Sequence, residues 1–163
     1  MTPSQKLKVN MQSNITWQCA AFSDLSAAQL YAILKVRSEV FVLEQNCVYQ
    51  DIDGLDLECL HLIAWTENQQ VAAYLRVVPP GLKYAEVSIG RVVSSKAARG
   101  TGIGKQLLAK AMELIAKTYP GAAVLIQAQS YLENFYLAFG FVTVSDVLLE
   151  DGIPHFMMLK SVT

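Results

Sequence analysis

Arg99-Gly100-Thr101-Gly102-Ile103-Gly104-Lys105 lies between an apolar run, Val87 to Val93, and a stretch whose apolar residues recur at helical spacing. Glycines at every second position remove the side chains that would hold a ligand away from the main chain. The start of a helix leaves several N–H groups without partners and carries roughly half a positive charge. A strand, a glycine loop and a helix start therefore predict an anion cradle, to which Arg99 and Lys105 add full charges. The matching guest is a phosphate or pyrophosphate. A glycine-rich turn that merely starts a helix is the plain structural alternative.

Two familiar phosphate loops do not fit. A Walker A loop places four residues between its first Gly and a Gly-Lys pair and follows it with Ser or Thr. Here Gly100 and Gly104 enclose three, and Gln106 follows Lys105. The dinucleotide fingerprint wants glycine at its sixth position and a carboxylate about 20 residues on. Lys105 takes that sixth position, and the next strand ends in Ala128-Gln129.

Outward from the loop, Ile103, Leu107, Leu108, Ala111, Leu114 and Ile115 share one helix face, which ends before Tyr119-Pro120-Gly121. Ala122 to Ala128 is nearly continuous apolar sequence and predicts a strand buried on both faces. Strand, helix and strand form a βαβ unit, so Val87–Val93 and Ala122–Ala128 are expected to be parallel. Gly90, within a strand expected over Ala85–Val93, suggests a bulge or a close backbone approach. Downstream, a short helix over Leu132–Ala138 leads through Gly140 to a strand over Phe141–Leu149. Asp151-Gly152 then predicts a tight hairpin into a last strand, Pro154 to Lys160. Upstream, Ile15–Ala21 reads as a strand, and Ala27 to about Leu43 as a helix capped by Asp24 or Ser26. His61–Thr66 and Val71–Val78 read as a hairpin. The fold class is α/β (α+β): a mixed, mainly antiparallel twisted sheet with a central splayed parallel strand pair and helices on both faces.

The 163 residues suit one domain, expected over residues 15–160 behind a flexible tail of residues 1–14. With 53 % hydrophobic and 17 % charged residues the chain reads as globular. A net charge of −1 gives no bulk attraction to nucleic acid. No apolar run reaches the roughly 20 residues of a membrane span, and the polar N-terminal stretch lacks a signal peptide's apolar core. Cys19, Cys47 and Cys59 have no metal-ligand spacing and read as reduced thiols in a cytoplasm. No metal is expected.

The loop's Arg-x-x-Gly-x-Gly pattern resembles that of the GNAT family of acetyl-CoA-dependent N-acetyltransferases. The resemblance implies that Arg99, Gly100, Thr101, Gly102, Ile103, Gly104 and Lys105 hold the coenzyme A pyrophosphate, with Arg91, Val92 and Val93 in the strand alongside the pantetheine arm. Main-chain N–H groups near Val92 and Val93 would polarise the thioester carbonyl. The stretch from Gln129 to Phe141 resembles a second block of that family, in which a tyrosine four residues before a Gly-Phe pair protonates the departing thiolate; Tyr136 holds that place. The usual Asn seven residues earlier is Gln129 here, which is carried over as a coenzyme contact.

For the base, Glu86 lies near the strand position of a glutamate base in some members, with His61 and His155 as alternatives. Arg37…Val40-Phe41-Val42-x-Glu44-Gln45-Asn46-Cys47-x-Tyr49 and Glu150-Asp151-Gly152-Ile153-Pro154-His155 are similar to the ElaA-type branch of the family. On that resemblance Arg37, Glu44, Gln45, His61 and His155 would line the acceptor side. The loop holding Asp51, Asp53, Asp56 and Glu58 would attract a cationic amine, or else would simply be solvated. The expected activity is acetyl transfer from acetyl-CoA to a primary amine in a direct ternary complex. A non-catalytic acyl-CoA sensor or assembly module is the alternative, and a homodimer is allowed.

Overall fold

The computed structural model describes residues 14–161, so the tail expected over residues 1–14 lies almost wholly outside the described residues. Strands β1 (Thr16–Ala21), β2 (Leu60–Trp65), β3 (Val71–Val78) and β4 (Ser88–Ser94) form an antiparallel sheet in that order. A second antiparallel sheet is built on β8 (Ile153–Lys160), with β5 (Val124–Gln129) on one side and β6 (Val142–Thr143) and β7 (Leu148–Glu150) on the other. The two sheets join through one parallel bridge, Val87 to Val124. There the Val87 N–H donates to the Ala123 carbonyl at 3.2 Å, and the Leu125 N–H to the Val87 carbonyl at 2.9 Å. Beyond that bridge β4 and β5 part. The expected parallel pair is thus splayed almost from its first residue, and β5 alternates between buried and half-buried positions instead of being buried on both faces.

Helix α1 (Ala27–Arg37) starts at a capping box, in which Ser26 Oγ accepts from the Gln29 N–H and the Gln29 side chain accepts from the Ser26 N–H. It continues as a π-helical segment, Ser38–Glu44, with i→i+5 bonds such as Gln45 N–H to the Val40 carbonyl at 3.1 Å. Ile33, Val36, Val40 and Phe41 pack on one face of the first sheet, against Ile63, Trp65, Tyr74 and Val93. The apolar face of α2 (Ile103–Thr118), formed by Ile103, Leu107, Leu108, Ala111 and Ile115, packs on the other face and on Val124, Ile126 and Met158 of the second sheet. β3 lies between the two helices and is buried at every position. The strand expected over Phe141–Leu149 is broken instead: Ser145 Oγ takes the Met157 N–H at 2.9 Å, replacing a main-chain acceptor, and the ladder resumes at β7. Asp151 (φ 51°) and Gly152 (φ 78°) make the expected tight hairpin.

The loop of residues 51–58 is neither a solvated acidic stretch nor a free anionic wall. Arg37, almost wholly buried, donates from Nε to Asp51 Oδ2 at 2.9 Å and from Nη1 to Asp56 Oδ1 at 2.8 Å. Arg76, equally buried, grips Asp53 with both Nη groups at 2.6 and 2.8 Å and reaches Asp56 Oδ1 at 2.9 Å. Arg91 sits with Nε 2.7 Å from Asp51 Oδ1, off the hydrogen-bond line, and donates from Nη2 to the Asp51 carbonyl at 2.9 Å. Three guanidiniums therefore neutralise three carboxylates. Burial alone would raise the Asp53 and Asp56 carboxyls, but hydrogen bonds and charge from these arginines outweigh it and hold both below the usual carboxylate range. His61, expected at the acceptor site, is buried in this cluster. Its Nε2–H donates to the Asp56 carbonyl at 2.9 Å, so Nδ1 accepts from the Tyr74 hydroxyl at 2.7 Å. Burial lowers its pKa, and the neutral ring is the folded form.

Asp56→Asn leaves two buried guanidiniums short of one charge. It should cost about 3–5 kcal/mol, a fall in Tm on the order of 10 °C in a thermal melt at neutral pH. Acid should act in two stages. His61 has a lowered folded pKa, so the unfolded chain binds more protons and stability declines as pH falls below about 6.5. Asp53 and Asp56 also have lowered folded values, so their contribution is complete above about pH 4 and is lost as pH falls further. Melts across pH 7 to 3 that are flat until acid unfolding would contradict the first stage.

Candidate active site

The parting of β4 and β5 opens a cleft of about 690 Å³. Both strands present sheet edges to it, because β4 pairs only with β3 beyond Val87 and β5 only with β8 beyond Leu125. Each edge carries main-chain N–H and C=O groups without a strand partner. On β4 the register slips by one residue between Tyr74↔Val93 and Arg76↔Gly90. The extra residue is a bulge at Arg91, which takes a left-handed φ of 53°. That conformation costs a non-glycine residue roughly 1–2 kcal/mol. The Arg91 side chain is held in place by Asp51 and lies over the Tyr49 ring at 5.5 Å. The bulge that Gly90 suggested is therefore one residue on. Gly90 itself marks no close approach: an added Cβ would stand 3.5 Å from Arg76 Nε, an ordinary van der Waals contact.

The glycine loop stands at one end of the cleft. Gly102, at φ 82°, is the N-cap of α2, and the Gln106 N–H makes the helix's first bond, to the Gly102 carbonyl at 3.2 Å. The N–H groups from Gly102 to Lys105 thus have no intrahelical partner. Gly104 and Arg99 line the cleft, whereas Gly100, Thr101 and Gly102 form the turn that continues from it and Ile103 and Lys105 lie in the first turn of α2. Thr101 Oγ1 donates to the Ala98 carbonyl at 2.5 Å, which ties the turn to the short 3₁₀ helix before it. Glu44, expected on the acceptor side, instead accepts both Arg99 Nη groups at 2.6 and 3.1 Å, and those hydrogen bonds hold its carboxyl below the ordinary value. Gln129 donates to the Gln45 side-chain oxygen at 3.3 Å, and both residues line the cleft.

Tyr136, on the short helix α3 (Glu133–Leu137), is buried between Phe135 and Phe141, with ring centroids 5.1 and 5.8 Å away in edge-on contacts. It lines the cleft, and its hydroxyl has no hydrogen-bond partner among the described residues. Burial, and secondarily Tyr131, push its pKa up, so the phenol is a proton donor at neutral pH. His155 lines the same cleft from β8. Glu86 does not: it falls in the bend before β4, outside the lining residues. Arg37 and His61 are likewise absent from the lining, being committed to the ion network. Sequence reading missed Arg76, which lines the cleft beside Asp53, because an arginine inside an apolar strand carries no local signal of its buried partners. It also missed Cys47, whose thiol reaches the Asp151 carbonyl at 3.6 Å and links the segment after the π-helix to the last hairpin.

The acetyltransferase (GNAT) domain family model matches residues 22–162. Protein ElaA of Escherichia coli K12 is 45% identical over 150 residues, covering 91% of this chain and 97% of that protein. The crystal structure of an acyl-CoA N-acyltransferase from Pseudomonas aeruginosa has a TM-score of 0.87 at 45% identity, over 91% of this chain and 100% of that one. Escherichia coli ElaA itself superposes with a TM-score of 0.85 at 44% identity, again over 91% and 100% of the two chains. The acyl-homoserine lactone (AHL) synthase LasI, at 15% identity and a TM-score of 0.69, shares the fold alone. A family model that spans most of the chain and 45% identity to ElaA over 91% of it show that this chain belongs to the GNAT family of acyltransferases, which draw their acyl group from an acyl-CoA.

Proposed function

We propose that this protein transfers the acetyl group of acetyl-CoA to a primary amine by direct attack within a ternary complex. The observation that carries this reading is the union in one cleft of an unpaired helix N-terminus, an unpaired sheet edge and an unpartnered phenol. The N–H groups from Gly102 to Lys105 suit the pyrophosphate, with Arg99 as the nearby full charge. Arg99 is held by Glu44, so an incoming pyrophosphate competes with that carboxylate for the guanidinium. The β4 edge at Arg91, Val92 and Val93 offers main-chain partners to the pantetheine amides, as an added strand would, and an N–H there can polarise the acetyl carbonyl. Gln129 at the end of β5 stands on the opposite wall. Tyr136 supports catalysis over mere acyl-CoA sensing: its residue is buried and lines the cleft, and its hydroxyl, with no hydrogen-bond partner among the described residues, is free to protonate a leaving thiolate. The cysteines, unbridged among the described residues, fit a reducing cytoplasm.

Asp51, Asp53 and Asp56, already neutralised by the arginines, offer no net negative charge to a cationic acceptor. Free-thiol release from acetyl-CoA across a panel of primary amines identifies the acceptor.

Donor binding can be tested without knowing the acceptor. At a hundredfold excess over its Kd, acetyl-CoA should raise the Tm by roughly 5–10 °C, with ATP and NAD inert. Gly104→Leu should abolish that shift and leave the apo melt nearly unchanged. An added Cβ there meets only Ser94 Oγ at 3.8 Å, whereas Gly102 at φ 82° would add backbone strain to the effect. ATP or NAD stabilising the protein as strongly as acetyl-CoA would remove the assignment.

Tyr136→Phe keeps the ring contacts and deletes a hydroxyl that has no partner among the described residues, so stability should hardly move. The acetyl-CoA melting shift should persist. Turnover should fall by roughly 10²–10⁴-fold. A wild-type rate, measured where chemistry limits turnover, would return Tyr136 to a packing role.

A further inference from the structure

We propose that His155 is the general base, taking the acceptor's proton at Nε2; this rests on the transferase reading above. The tautomer follows from one contact. His155 Nδ1 lies 2.7 Å from the Ile153 carbonyl oxygen, which can only accept, so Nδ1 carries the hydrogen. In the neutral ring the lone pair then belongs to Nε2, which has no hydrogen-bond partner among the described residues. The ring lines the cleft. It stands on the central strand of the second sheet, paired with Gln129 on one side and Leu148 on the other, so its backbone is fixed from both flanks. Tyr136 follows Gln129 by seven residues through a 3₁₀ turn, which anchors acid and base at the same end of one sheet.

The other ionisable groups of the cleft are less suited. Asp53 is held ionised by Arg76 and Arg91, and a carboxylate so stabilised is a poor proton acceptor. Glu44 is engaged by Arg99, and burial with two filled ring nitrogens removes His61. Glu86 is outside the lining. Glu150 and Asp151, on the hairpin that carries His155, are exposed. Lys83 also lines the cleft, and although burial lowers its pKa, its Nζ stands over the Tyr84 ring at 5.4 Å, a contact that the charged form makes. Tyr49 is pushed up to about 12 by burial and by its bond to Asp51, so it is no base at neutral pH.

The step balances as follows. Nε2 takes one proton from the ammonium, and the freed nitrogen pair forms the C–N bond as the carbonyl π pair moves to oxygen. On collapse the C–S pair leaves with sulfur, and Tyr136 gives the thiolate its proton. The nitrogen's second surplus proton restores Tyr136 through solvent, and the imidazolium releases its own to bulk water. One proton is released per acetyl transferred.

The test has two arms. Long-range ¹H–¹⁵N NMR of the imidazoles in the apo protein should show His155 with a protonated Nδ1 and a bare Nε2; the opposite tautomer overturns the proposal without any substrate. In the second arm His155→Gln and His155→Asn are assayed with the fastest alkylamine of the panel. Turnover should fall roughly 10²–10⁴-fold near neutral pH. The deficit should shrink as pH approaches the amine's own pKa, where free amine no longer needs a base. A loss equal at every pH, or no loss, overturns it. Acetyl-CoA should still raise the Tm of both variants. If it fails to raise that of the wild type, the transferase reading falls instead.

Discussion

The site depends on two strands that pair once and then separate. A parallel ladder continued past Val87–Val124 would satisfy every edge group on β4 and β5 and leave no cleft. Unpaired edges are ordinarily a liability, since each N–H and C=O seeks a partner. Here they are retained because α2 spans the gap. Its apolar face shares one hydrophobic core with Leu75 and Val77 of the first sheet and with Val124, Ile126 and Met158 of the second. One helix thus buries both sheets at an angle that their own hydrogen bonds do not fix. The same helix brings its N-terminus to the open end of the cleft. The element that opens the site also supplies its anion cradle.

The second constraint is electrostatic. On the α1 side the first sheet does not complete its core with apolar residues; it buries Arg37 and Arg76 among Asp51, Asp53, Asp56, His61 and Tyr74. A buried ion network is weak support for stability as such, because desolvation offsets much of the attraction. Its geometric consequence is plainer. It fastens the loop of residues 51–58 to β3 and, through Arg91, to the bulge of β4. The left-handed turn at Arg91 is held by those contacts, and with it the main chain that lines the cleft.

Local pattern carried most of the fold. The 3.6-residue period from Ile103 to Ile115, the breaker Tyr119-Pro120-Gly121 and the Asp-Gly hairpin are signals written within a few residues, and each matches its element. The strand broken at Ser145 was not legible, because one hydroxyl replaced a main-chain acceptor in a run apolar but for Thr143, Ser145 and Asp146. The acidic loop failed for a different reason. Asp51 and Asp56 lie 14 and 19 residues from Arg37 and farther still from Arg76 and Arg91, and nothing in composition marks them as paired. His61 and Glu86 show the same limit: residue type makes each a candidate base, and only placement tells a buried ring from a cleft ring.

Placement also divides the chemistry between the sheets. The anchors proposed for the donor belong to the first sheet and its crossover, in β4, Arg99 and the start of α2. The phenol of Tyr136 and the imidazole of His155 belong to the second, tied together through the Gln129–His155 pair. The two sets meet across the gap that opens beyond Val87 and Val124, so the angle of opening sets how donor and proton-transfer groups approach one another. Three side-chain contacts cross that gap or brace it from the segment after α1: Glu44 to Arg99, Gln45 to Gln129, and Cys47 to the Asp151 carbonyl. A straight α-helix would have continued past Arg37 in phase with α1; the π-helical turns over Ser38–Glu44 widen it there instead. From that widened turn one short segment touches Arg99 of the glycine loop, β5 and the last hairpin in turn, and so braces the angle at which the two sheets part.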